Sequence, residues 1–118
     1  MRTFERGDVV RVPFPYTDRD TRQHRPALVV SDGGLGNRET LLWVLMITSA
    51  ENRAWPGDVS LAQGYEEVGL PAPSLIRTTK IATIERDHAE PLGRLNAERM
   101  TIVEQFLGRH LGLEAEQD

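Results

Sequence analysis

Arg25 is the residue of this 118-residue chain whose setting most invites chemistry. It directly precedes Pro26, whose ring steers the residue before it towards extended backbone and so fixes where the guanidinium leaves the chain. Before it lies a polar, turn-rich stretch, residues 15–25 (PYTDRDTRQHR); after it comes the apolar run 26–31 (PALVVS). An arginine held at such a junction can grip an oxyanion or phosphate with its planar fork, or pair with a carboxylate such as Asp18 or Asp20. Thr48 ends a second apolar run, 41–48 (LLWVLMIT), where a hydroxyl either caps the chain or donates to a ligand. His24, beside Arg25, is of the type suited to proton transfer near neutral pH, and equally reads as a surface-loop histidine.

Other patterns carry less. His24, His88 and His110 are far apart and make no metal-binding spacing, and there is no cysteine, so no metal site is expected. His88 lies in a turn, and His110 reads as a favourable charge near the negative end of a helix. The cluster Gly33-Gly34-Leu35-Gly36 lacks the Lys-Ser/Thr of a phosphate loop and reads as a connection between strands. Neither a nucleophile elbow nor a Ser/His/Asp set appears.

These residues need elements to position them. Residues 8–14 alternate, with Val10, Val12 and Phe14 on one side and Val9, Arg11 and Pro13 on the other, as in a half-buried strand. Residues 15–25 read as a long hairpin loop, 26–31 as a strand buried on both faces, 32–38 as a glycine-rich loop and 41–48 as a strand. Trp43 within that strand reads as core, and Trp55 before Pro56 as a loop residue able to stack on RNA or a partner. Pro56-Gly57-Asp58 predicts a turn before a short strand at 59–61, and 64–73 an exposed connection. The Ile- and Thr-rich stretch 74–85 (SLIRTTKIATIE) suits a strand with Leu75, Arg77, Thr79 and Ile81 on one face and Lys80 opposite. A last short strand falls at 91–95. Asn96 then caps a helix bearing the stripe Met100, Val103, Leu107 and Leu111, with Gly112 as its stop. Short strands with one late helix predict a small antiparallel barrel or sheet capped by that helix.

Composition narrows the classes. With 39% hydrophobic and 27% charged residues the chain is globular, of a length for one domain spanning residues 1–118. The longest apolar run, residues 41–47, falls far short of the roughly 18 residues that span a bilayer, and the N-terminus has no signal-like segment. A cytoplasmic location without membrane contact is expected. The net charge of −4 opposes chain-wide affinity for nucleic acid. Residues 1–55, however, are near neutral and hold eight arginines, while residues 56–118 carry the acidic excess.

Taken together, Gly7-Asp8-Val9-Val10-Arg11-Val12-Pro13-Phe14-Pro15-Tyr16-Thr17-Asp18 and Arg25-Pro26-Ala27-Leu28-Val29-Val30-Ser31 resemble the PemK/MazF family of toxin endoribonucleases. Thr48-Ser49 and the stretch from Ile76-Arg77 to Ile84 follow at the family's usual intervals, so the resemblance covers nearly the whole chain. It implies a mainly β fold, an SH3-like barrel with a C-terminal helix, acting as a homodimer held in check by a cognate antitoxin. It also implies cleavage of single-stranded RNA at short sequences without metal or other cofactor. The neighbouring 2′-hydroxyl attacks, leaving a cyclic phosphate and a 5′-hydroxyl. On this resemblance Arg25 and Thr48 are catalytic; Arg11, Thr17, Asp18, Arg22, His24, Ser49, Arg77 and Thr79 are expected around them as substrate contacts.

One departure stands out. Some members place an Asp two residues after the arginine of the later long strand, and here that position is Thr79. The general base is therefore unassigned. The missing carboxylate also keeps open a non-catalytic binding barrel, or a gyrase-directed toxin of the same fold. Against the latter, such relatives use a C-terminal Trp, whereas the sequence here ends LGLEAEQD.

Overall fold

The computed structural model describes residues 3–15 and 22–113, with the side chains of 14, 15, 22 and 23 left aside. Thr17 and Asp18, both expected at the substrate, lie outside the described residues, as does the side chain of Arg22.

Six strands form one antiparallel sheet in the order β4-β5-β3-β2-β1-β6. They are β1 (Asp8–Pro15), β2 (Arg22–Val29), β3 (Leu41–Ser49), β4 (Asp58–Leu61), β5 (Ser74–Glu85) and β6 (Glu90–Arg94), followed by helix α1 (Ala97–Leu111). The sheet curls into a half-barrel in which β4 and β6 are the hydrogen-bonding edges. One of the short 3-10 turns, Glu66–Val68, packs against β6. That approach leaves no room for a Cβ on Gly69, which faces the Leu92 carbonyl, or on Gly93, which faces the Val68 carbonyl.

Alternate residues of the central strands feed two separate cores. Val9, Leu28, Leu45 and Ile47 join Val59, Leu61, Ile76, Met100 and Val103 on the face that α1 covers. Val10, Val12, Ala27, Val29, Leu42, Val44 and Met46 join Phe4 and Ala89 on the other. The half-buried reading of the first strand is thus corrected: Val9, Val10 and Val12 are all fully buried. Both faces of this strand are covered because Phe4 and Ala89 close the second core.

Strand β2 also departs from expectation. It begins at Arg22, inside the stretch read as loop, because Arg22 to Arg25 pair with Pro15 to Val12 of β1. It ends at Val29, after which the Ser31 hydroxyl accepts the Trp43 N–H and donates to the Gly33 carbonyl. Trp43 is not core: it is 49% exposed, beside exposed Leu41 and Ile81. It lies on the face that α1 covers only farther along, since α1 packs on β4 and β5.

The helix begins as read. The Asn96 side chain accepts the Arg99 N–H at 2.8 Å, and Gly112 stops the helix in the left-handed region that glycine favours. Its buried stripe is Met100 and Val103, supported by half-buried Phe106 and Leu107. Leu111 is exposed, contrary to expectation, and the last turn meets the sheet through His110 at Thr78 instead. No described helix is long and apolar enough to cross a membrane.

Candidate active site

The β2–β3 register aligns Ala27 with Met46, so two residues further on Arg25 and Thr48 fall level across the strand pair. Both line a pocket of about 250 Å³. Its other walls are Asn52, Trp55, Arg77 and Lys80, with Met46 and Ile47 from β3. Three cations thus surround Thr48, and among the described residues no carboxylate lines the pocket. A cavity with that lining favours an anion.

Lys80 reaches this pocket through an irregularity that periodicity does not announce. Ile47 pairs with Ile76, and Leu45 pairs with Ile81. Between those pairs β3 has one residue, Met46, whereas β5 has four, Arg77 to Lys80. The extra length forms a bulge, and an odd number of extra residues inverts the alternation of the strand. Lys80, expected opposite Arg77, therefore shares its pocket. Thr79 is exposed and does not line it.

Arg77 is held firmly. It is 5% exposed, its guanidinium lies 3.9 Å from the centroid of the Trp55 ring, and it donates to the Arg53 carbonyl at 2.6 Å. Its buried Nε makes no hydrogen bond among the described residues. Trp55 thus carries a cation against its ring, a favourable contact with the ring's negative face.

The Trp55 turn is pinned from both sides. Asp58 Oδ2 accepts the Trp55 N–H at 2.8 Å, and the Asp58 N–H donates to the Trp55 carbonyl at 3.1 Å. The Thr78 hydroxyl donates to the Gly57 carbonyl at 2.7 Å. With its one proton so used, that hydroxyl accepts at 3.0 Å from His110 Nε2. His110, read from sequence only as a charge at a helix end, thus has a specific partner. Gly57 has φ +90°, and a Cβ there would lie 2.9 Å from Thr78 Oγ1. Gly57→Ala is therefore expected to cost roughly 1–2 kcal/mol, read as a lower urea midpoint at unchanged slope.

At the end of β3, Ser49 shapes the chain rather than the pocket. Its hydroxyl accepts the Glu51 N–H at 3.1 Å and its carbonyl accepts the Asn52 N–H at 3.0 Å. This turn returns Asn52 over the strand end, where its Nδ2 donates to Thr48 Oγ1 at 2.6 Å. Asn52 and Lys80 are the pocket residues that sequence reading overlooked. The turn-prone run Thr48-Ser49-Ala50-Glu51-Asn52 was a usable signal for the first, and for the second only its being the sole lysine.

The remaining candidates lie elsewhere. Arg11 is exposed on β1, opposite Pro26 on one side and Glu90 on the other. His24, adjacent to Arg25 in the strand, is exposed opposite Pro13. Neither lines the pocket. His88 is exposed, with Nε2 3.5 Å from Glu85. Among the described residues no group of three or more His, Asp and Glu side chains is gathered closely enough to hold a metal ion.

The profile of the PemK-like, MazF-like toxins of type II toxin–antitoxin systems matches residues 5–111. The chain belongs to this family. Solved structures share the toxin's fold. MazE-MazF from Deinococcus radiodurans superposes with a TM-score of 0.74 at 22% identity, covering 97% of this chain and 100% of that one. An endoribonuclease in complex with its cognate antitoxin, from a mycobacterial species, gives 0.69 at 21% identity, covering 95% and 98%. The Mycobacterium tuberculosis toxin MazF-mt6 gives 0.64 at 19% identity, covering 90% and 98%. No curated protein matched the toxin's sequence. The mainly β fold with its C-terminal helix is that of MazF.

Proposed function

We propose that this toxin is a metal-independent endoribonuclease that cuts single-stranded RNA at short sequences by 2′-hydroxyl attack. The products are a 2′,3′-cyclic phosphate and a 5′-hydroxyl. The observation that carries this reading is the meeting of Arg25, Thr48, Arg77 and Lys80 in one pocket.

The chemistry follows from the charges. Attack on phosphorus gathers negative charge on the equatorial oxygens of a pentacovalent phosphorane. Fixed cations and a hydroxyl donor stabilise that charge more than the ground state, as a metal ion does in other nucleases. A guanidinium holds its protons too tightly for efficient general-acid work, so Arg25 acts as a charge clamp and Thr48 as a neutral donor beside it. Arg77 and Lys80 hold the chain's phosphates. With neither Thr79 nor His24 lining the pocket, the proton of the 2′-hydroxyl leaves to solvent.

Several further properties follow on the same reading. The toxin works in the cytoplasm as a homodimer. A cognate antitoxin threads a disordered segment over the site, folding as it binds. Two structural relatives are complexes of this kind, an endoribonuclease with its cognate antitoxin and MazE-MazF, which supports the antitoxin.

The test is to incubate antitoxin-free toxin with a long unstructured RNA in EDTA and to map the fragment ends. Discrete cuts ending in cyclic phosphate are expected, and their flanking sequence gives the recognition motif. Intact RNA from a folded sample, across several sequences, would overturn the reading in favour of a binding or gyrase-directed toxin.

A further inference from the structure

A hydroxyl is a useful donor only if its single proton points at the reacting group. Threonine offers one proton and two lone pairs on a rotor with several orientations, so something must choose among them. At Thr48 that choice is made by Asn52, whose Nδ2 lies 2.6 Å from the hydroxyl oxygen and donates to it. A lone pair so engaged cannot also be where the proton points. The Thr48 proton is turned away from Asn52, leaving it to serve the pocket that Thr48 lines with Arg25. The opposite amide orientation would place Oδ1 at the hydroxyl and consume the same proton.

The amide is itself built into place. The Asn52 N–H donates to the Ser49 carbonyl at 3.0 Å, the Glu51 N–H donates to Ser49 Oγ at 3.1 Å, and the Ala50 N–H donates to the Pro73 carbonyl at 2.9 Å. These bonds tie the turn after β3 to itself and to the start of β5. The entropy of fixing the hydroxyl is then met when the chain folds rather than when substrate binds, which is the advantage of a preorganised donor.

We propose that Asn52 is a positioning residue for RNA cleavage, aiming the Thr48 hydroxyl proton at the reacting phosphate. This rests on the ribonuclease reading. Asn52 acts through Thr48, so its contribution vanishes where Thr48 has no hydroxyl.

The experiment compares wild type, Asn52→Ala, Thr48→Val and the double variant on a short RNA carrying the mapped cleavage site. Asn52→Ala is expected to lower kcat about tenfold, with KM within about twofold. In the Thr48→Val background the same change is expected to add less than about twofold, the non-additivity of groups acting as one unit. Multiplying effects, or a loss carried by KM, would overturn the proposal, since either means that Asn52 acts on its own. An undiminished rate in Asn52→Ala, with Arg25→Ala inactive, overturns it while leaving the ribonuclease reading intact.

A second measurement needs no cleavage. In the nitrogen–proton NMR spectrum of the folded toxin, one Asn52 side-chain amide proton is expected downfield and to move back in Thr48→Val. If wild type cuts no RNA, the ribonuclease reading and the catalytic role built on it fall together. If the amide signal is indifferent to Thr48→Val, the proposal falls whatever the activity.

Discussion

Arg25→Ala is expected to cut the rate of RNA cleavage about 100-fold or more while the fold survives, as removal of one fixed donor to a transition-state oxyanion generally does. Arg25 is only half-buried, lies at the edge of the β2–β3 pairing beyond the Ala27–Met46 pair, and belongs to neither hydrophobic core. Arg25→Lys keeps the charge but not the planar fork, and should recover only part of the rate. Single-turnover cleavage of one defined RNA, with circular dichroism to show equal folding, separates the two effects. A rate within about threefold of wild type in Arg25→Ala would remove this guanidinium from the chemistry and leave Arg77 and Lys80 as the cations of interest.

Leu45→Ala is expected to be the most damaging substitution for stability, costing about 2–5 kcal/mol. Leu45 is fully buried between the sheet and α1, and its pairing with Ile81 is where β3 and β5 resume register beyond the bulge. A small domain has only about 5–15 kcal/mol in hand, so a large fraction of the variant should be unfolded in mild denaturant. Urea titration should show a lower midpoint at an unchanged slope. Cleavage per folded molecule should stay close to wild type, because Leu45 does not line the pocket.

What could be read in the sequence was what is decided locally. The bounds of β5, the Asn96 cap and the Gly112 stop are set by neighbours within a few residues, and all appear as read. The same is true of the turn through Pro56-Gly57-Asp58 and the strand after it. The gathering of Arg25, Thr48 and Arg77 was legible for a different reason, through the family pattern in which they sit. What escaped was decided by pairing and layering. Polar Arg22 to Arg25 become strand because β1 offers them hydrogen bonds, whatever their own preference. Trp43 is exposed because the layer that buries Leu45 and Ile47 does not extend over it. Asn52 joined the pocket only once the turn at Ser49 had folded back.

The bulge in β5 makes the spacing of this strand part of its chemistry. Ile76 and Ile81 are fixed by their partners on β3, so the four residues between them act as a frame in which parity decides what each side chain meets. Deleting Thr79 would restore even spacing, and Arg77 and Lys80, then two residues apart, would share a face by plain alternation. With four residues there, only the bulge brings the two cations to one side, and the same bulge keeps Ala82 and Ile84 in the core they support. The bulge is thus a frameshift at the level of structure, already built into this strand, and it lets two cations three residues apart act on one side.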